Sequence, residues 1–271
     1  MSVERAESSL STQVDVSFVT VQGHRLEVRR IPGIDPDAPT LVFLHEGLGS
    51  VSMWRDFPDK TVSATGCPAI VYSRYGYGQS EVLRGARAVD YMHVEALEVL
   101  PALLERLGVG EPVLVGHSDG GSIALIYAAA KHSVRGLVVM APHVFVEDIS
   151  VKSIAEAKTA FEDTDLAQKL GRYHADAAKT FRGWNDIWLH PDFRSWNIEE
   201  VLSRVHCPVL AIQGFDDEYG TMAQLEAIAR QTGGPIELLR LADCRHSPHR
   251  DQPAVVLEAM ASFIARLEGG A

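Results

Sequence analysis

The segment Val113-Leu114-Val115-Gly116-His117-Ser118-Asp119-Gly120-Gly121, running into Ser122-Ile123-Ala124-Leu125-Ile126-Tyr127-Ala128-Ala129-Ala130, constrains this chain more than any other. Its short apolar run reads as a buried strand, and the Ala-rich apolar stretch after it reads as a helix. Between them the spacing G-x-S-x-G predicts a tight bend that lifts the Ser118 hydroxyl above the edge of a sheet. Glycine at 116 and 120 leaves room for neighbouring backbone where a β-carbon would clash. A serine at such an apex is a weak nucleophile until a base takes its proton. The rest of the chain must then supply the base, an acid behind it and donors for an oxyanion.

Strand and helix patterns alternate on both sides of this bend. Val14-Asp15-Val16-Ser17-Phe18-Val19 and Leu26-Glu27-Val28-Arg29-Arg30-Ile31 alternate apolar with polar, as half-exposed antiparallel strands do, with Gly23 in the turn. Thr40-Leu41-Val42-Phe43-Leu44 and Ala69-Ile70-Val71-Tyr72 are solid apolar runs of the kind buried on both faces. Helical spacing covers residues 54–64 and 90–107, the latter with Asp90 as N-cap and Gly108 as C-cap. Further strands are expected at 136–141, 207–213 and 235–241, with helices at 222–230 and 251–267. This rhythm predicts an α/β fold with a mostly parallel, doubly wound sheet.

Residues 143–201 break the rhythm. Helical patterns at 154–161, 165–173 and 176–181 precede Trp184, Trp188 and Trp196, three of the four tryptophans. The expected organisation is a core of residues 1–142 and 202–271 with a helical cap, or lid, at 143–201. The tryptophans suit either the apolar underside of a cap over the strand ends or simple packing of the insertion onto the core.

At 271 residues and 46% hydrophobic content the chain can bury a large single core. A net charge of −11 without a basic run argues against nucleic acid or an anionic membrane as partner, and reads first as solubility. Cys67, Cys207 and Cys244 lack C-x-x-C spacing, so free thiols are expected rather than a metal site or a disulfide framework. Residues 1–13 are polar and of mixed charge, unlike a signal peptide or membrane span, and a cytoplasmic protein is the expectation. The partner expected is a small-molecule substrate; oligomeric state stays open, a homodimer included.

Four more segments carry chemistry-bearing residues. They are His45-Glu46-Gly47-Leu48-Gly49, Ser73-Arg74-Tyr75-Gly76-Tyr77-Gly78-Gln79-Ser80, Gln213-Gly214-Phe215-Asp216-Asp217-Glu218 and Asp243-Cys244-Arg245-His246-Ser247-Pro248-His249. With the G-x-S-x-G bend they fall in the order nucleophile, acid, histidine. From about residue 41 to the C-terminus the chain resembles the α/β-hydrolase fold family, in its group of esterases, C–C hydrolases and proline iminopeptidases. The resemblance implies Ser118 as nucleophile and His246 as base, with His249 positioning the loop or starting the last helix. The family's G-x-x-D pattern selects Asp217 over its neighbour Asp216 as the acid. Oxyanion donors would be the backbone N–H groups of Asp119 and Gly47. Segment 73–80 corresponds to a structural loop near the active-site floor.

The departures from the family pattern are charged. Glu46 replaces a glycine beside the oxyanion loop, Asp119 follows the nucleophile, and Arg245 precedes the histidine in place of glycine. Anions aimed at a developing oxyanion would oppose it, so Glu46 and Asp119 must turn away or be paired, with Arg74 or Arg245 as the expected cations. Alternatively Glu46 binds an amine on the substrate.

The expected activity is cofactor-free and metal-free hydrolysis of a small or medium carboxylic ester or lactone. Glu46, His143, Trp184 and Trp188 are the candidate substrate-binding residues. Cleavage of carbon–carbon bonds or of an N-terminal peptide bond keeps the same triad, and a non-catalytic binding protein keeps only the fold. Serine at the apex, where aspartate would stand, argues against dehalogenase and epoxide hydrolase chemistry.

Overall fold

The computed structural model describes residues 16–35 and 37–268. The reading of residues 1–13, and the start of the first predicted strand at Val14 and Asp15, lie outside the described residues. Among the described residues eight strands form one sheet: β1 Val16–Val21, β2 His24–Ile31, β3 Leu41–Leu44, β4 Ala69–Tyr72, β5 Val113–His117, β6 Gly136–Met140, β7 Val209–Gly214 and β8 Ile236–Leu241. Their order across the sheet is β1-β2-β4-β3-β5-β6-β7-β8. Pairings are antiparallel at β1·β2 and β2·β4 and parallel from β4 to β8, so β2 alone runs against its neighbours.

Side-chain alternation divides the core between the two faces. Leu41, Phe43, Val113, Val115, Val138 and Met140 pack with Phe57 and Val62 of α1 (Phe57–Thr65) and with Val256, Met260 and Phe263 of α11 (Pro253–Glu268). Val42, Leu44, Leu114, Leu137 and Val139 face the opposite way. They meet α2 (Tyr91–Val94), α3 (Leu100–Leu107), α4 (Asp119–Ala129) and α9 (Ala223–Gln231). Helices on both faces cover the strands, which is why β3 and β4 read as unbroken apolar runs.

The helix expected over 90–107 forms with a π-helical turn at Glu95–Val99 between α2 and α3. Pro101 follows this turn and lacks the N–H that would continue a regular ladder. Asp90 stands before α2 without capping it, because its φ of −95° and ψ of 12° lie outside the extended region from which a cap side chain reaches back. Gly108 closes α3 in the left-handed region at φ 71°.

Between β6 and β7 the chain leaves the sheet for α5 (Asp148–Asp163), α6 (Leu166–Leu170), α7 (Ala177–Trp188) and α8 (Glu199–Leu202). Helix α7 is amphipathic: Phe181, Trp184, Ile187 and Trp188 are buried while Arg182 and Asp186 are exposed. The short helix α10 (Pro248–Asp251) precedes α11. Among the described residues no helix is long and apolar enough to cross a membrane.

Candidate active site

Ser118 occupies the bend between β5 and α4 with φ 53° and ψ −119°, a conformation that costs a non-glycine residue energy and is kept by its surroundings. The Ser118 amide donates to the carbonyl of Met140 at 2.9 Å, tying the bend to β6. A β-carbon on Gly116 would overlap the Gly120 carbonyl, and one on Gly120 would overlap the Leu44 carbonyl. Both glycines are therefore required by close backbone approach.

Three residues distant in sequence meet at this bend. Ser118 Oγ lies 2.9 Å from His246 Nε2, and His246 Nδ1 lies 2.8 Å from Asp217 Oδ1. A carboxylate only accepts, so Nδ1 carries the proton donated to Asp217 and Nε2 is left to accept from the Ser118 hydroxyl. Asp217 Oδ1 also accepts from the amides of Tyr219 at 2.8 Å and Gly220 at 3.2 Å, and Oδ2 from Gln213 Nε2 at 3.2 Å. Asp217 is buried and Asp216 is exposed, so the structure selects between these neighbours. Burial works against ionisation of Asp217, but the charge and hydrogen bond of His246 and the Tyr219 amide outweigh it and hold the carboxyl below its ordinary value. For His246 burial favours the neutral ring, yet the Asp217 carboxylate prevails and raises its pKa above 6.5.

Gly47 and Asp119 both line the cavity at Ser118. The Asp119 amide opens α4, where backbone N–H groups lack intrahelical partners. The two unusual carboxylates are paired. Asp119 Oδ2 accepts from Tyr91 Oη at 2.6 Å and stands 3.7 Å from Arg74 Nη2. Arg74 is buried and also donates to the carbonyls of His45 at 2.8 Å and Glu46 at 3.0 Å, fixing the loop that bears Gly47. Glu46 lies 3.5 Å from His117 Nδ1 and 3.6 Å from Arg250 Nη2. Burial of Glu46 opposes its charge, but His117 and Arg250 override it and keep the carboxyl well below its usual range.

Arg74 is thus a partner of Asp119 as expected, whereas Arg245 is not a partner of either carboxylate. Arg245 extends to Glu218 at 3.0 Å, with 70% of its side chain exposed, and Arg250, five residues on, takes the place beside Glu46. The reason is direction: at the residue before His246 the side chain points to solvent, while α10 carries Arg250 back toward the oxyanion loop. His249 starts no long helix; it packs in α10 against Trp54 at 4.9 Å, Phe57 at 5.3 Å and His117 at 4.9 Å between ring centroids.

The cavity beside Ser118 has a volume of about 130 Å³. Trp184 and Trp188 of α7 line it, and Trp196 instead stacks on Phe193 at 5.5 Å, so the tryptophans divide between the two expected positions. His143 is buried, its ring 5.0 Å from Trp188 and 5.7 Å from His246. Burial, and then the nearby His246, push the His143 pKa down to about 3. Leu48, His117, Ile154, Tyr219 and Ser247 also line the cavity, and none was singled out from the sequence as binding substrate. Tyr219 stands two places after Asp217, a position open to inspection; nothing local marks Ile154. Among the described residues no group of three or more His, Cys, Asp or Glu could hold a metal ion.

A parallel sheet whose strand ends raise a serine to a histidine–aspartate pair, beneath a helical insertion, is the construction of an α/β-hydrolase fold. The chain belongs to the alpha/beta hydrolase family, whose model matches residues 41–259. It is 26% identical over 259 residues to the 2-succinyl-6-hydroxy-2,4-cyclohexadiene-1-carboxylate synthase of Klebsiella pneumoniae, covering 85% of this chain and 95% of that one. It is 24% identical over 228 residues to the proline iminopeptidase of Lactobacillus helveticus, covering 69% and 77%. A thermophilic esterase from Thermogutta terrifontis has the same fold, with a TM-score of 0.72 at 18% identity over 93% of this chain and 99% of the other.

Proposed function

We propose that this protein is a serine hydrolase of small or medium carboxylic esters or lactones, acting through Ser118, His246 and Asp217 by way of an acyl-enzyme. The observation that carries this reading is the hydrogen-bonded chain Ser118 Oγ–His246 Nε2 at 2.9 Å and His246 Nδ1–Asp217 Oδ1 at 2.8 Å. In the proposed cycle His246 takes the Ser118 proton as Oγ attacks the substrate carbonyl. Asp217 stabilises the imidazolium, and the amides of Gly47 and Asp119 bind the oxyanion. His246 then protonates the leaving alcohol, and water releases the acid by the same steps reversed. Helices α5–α8 act as a cap, with Trp184, Trp188 and His143 shaping the substrate pocket and the substrate a small molecule.

A second reading, cleavage of an N-terminal peptide bond, is favoured by one observation: the charged carboxylate of Glu46 lines the cavity, where it could hold an amine. The relatives named proline iminopeptidase are in keeping with it.

Covalent labelling by a fluorophosphonate tests the reading. Labelling is expected at Ser118 and is expected to vanish in Ser118→Ala, with turnover of p-nitrophenyl esters falling on the order of a thousandfold or more. A folded protein that does not label, or a Ser118→Ala variant that keeps its rate, rejects it. Matched amino-acid anilides rank the two chemistries.

A further inference from the structure

We infer that the site selects acyl groups without negative charge, because Glu46 lines the cavity with its carboxylate side chain 17% exposed while, among the described residues that line it, there is no Lys or Arg. The inference rests on the proposed hydrolase reading and specifies its substrate class.

Each cation near the site is directed elsewhere. Arg74 lies behind Asp119, with two of its donors committed to the carbonyls of His45 and Glu46. Arg250 reaches Glu46 from outside the cavity and also donates to the Met53 carbonyl at 2.9 Å. Arg245 extends to Glu218. On α7 the cavity receives Trp184 and Trp188, and Arg182 stands on the exposed face. The imidazoles that line the cavity supply no spare charge. His143 is neutral near pH 7, its pKa being pushed down to about 3, so its buried Nδ1, which has no hydrogen-bond partner, offers a hydrogen bond and not a charge. His246 faces Asp217, and His117 faces Glu46.

An anionic acyl arm would enter a small, largely apolar cavity, lose its water and meet a second anion. A buried charge without a partner is strongly disfavoured, and like charges at this depth are poorly screened. A neutral arm faces Trp184, Trp188, Ile154 and Leu48 and gives up little hydration. An amine-bearing arm would gain from Glu46, so the same charge pattern accommodates both readings of the function.

The test compares two ethyl fluorophosphonates with the same pentyl arm, one ending in a carboxylate and the other in its methyl ester. In both, Ser118 Oγ forms a bond to phosphorus, the P–F bond breaks, fluoride leaves, and the serine proton passes to His246. The second-order labelling rate is expected to be at least about thirtyfold higher for the methyl ester, and the ratio to fall several-fold in Glu46→Gln. Equal rates, or faster labelling by the carboxylate, with the label on Ser118 overturn the inference and leave the hydrolase reading standing. No labelling of Ser118 by either reagent rejects that reading and the inference with it.

Discussion

The ring of His117 is bonded to the backbone of His246: its Nε2 lies 2.7 Å from the His246 carbonyl oxygen across 129 residues of chain. A carbonyl only accepts, so Nε2 carries the proton, and the other ring nitrogen faces the Glu46 carboxylate at 3.5 Å. One side chain, adjacent to Ser118, therefore joins the loop that carries the proposed base to the loop that carries a proposed oxyanion donor.

This predicts that His117→Phe lowers kcat by about tenfold to a hundredfold with little change in KM, since small displacements of a catalytic group cost that much. His117→Gln, which can donate to the same carbonyl, is expected to recover part of the loss. Steady-state kinetics of both variants, beside thermal melts showing an intact fold, check it.

The acid limb of kcat/KM reports the base of the free enzyme. His246 accepts a proton only when neutral, and Asp217 raises its pKa against the effect of burial. Activity is thus expected to be lost as pH falls through a value above 6.5. In Asp217→Asn the inflection moves down and the plateau drops. An acid limb below 6.5 in the unaltered protein contradicts this.

Arg74 holds two carbonyls and faces Asp119 while nearly sealed from water, at 2% exposure. Arg74→Met removes one side of a buried ion pair and is expected to cost about 3–5 kcal/mol of stability. Urea unfolding measures it. Arg245→Ala, which loses only an exposed pair with Glu218, is expected to change stability by less than about 1 kcal/mol.

His143 stays neutral in the folded protein down to about pH 3, whereas an unfolded histidine binds its proton near 6.5. Between those values the unfolded chain holds more protons, so this residue makes stability rise with pH and fall on acidification. Replacing it by glutamine is expected to flatten the dependence of unfolding free energy on pH by up to about 1.4 kcal/mol per unit in that window. Urea melts at pH 7 and pH 5 compare the two proteins.

The bend at Ser118 was legible because local rules write it: an apolar strand, glycines where backbones touch, and an Ala-rich helix. The tryptophans show where such rules stop. Trp184, Trp188 and Trp196 look alike in sequence, yet only the first two line the cavity. Their position depends on how α7 and the chain after it pack against distant elements.

The sequence by itself determined the strand–helix alternation, the family resemblance and the short set of groups from which Ser118, Asp217 and His246 were chosen. These follow from periodicity and from backbone geometry, which act over a few residues. Only the tertiary structure decided that Arg250 and not Arg245 accompanies Glu46, and that Trp184 and Trp188 line the cavity while Trp196 stacks on Phe193. Burial and charge pairing are set by residues that the chain brings together across more than a hundred positions, and no local pattern encodes which side chain arrives.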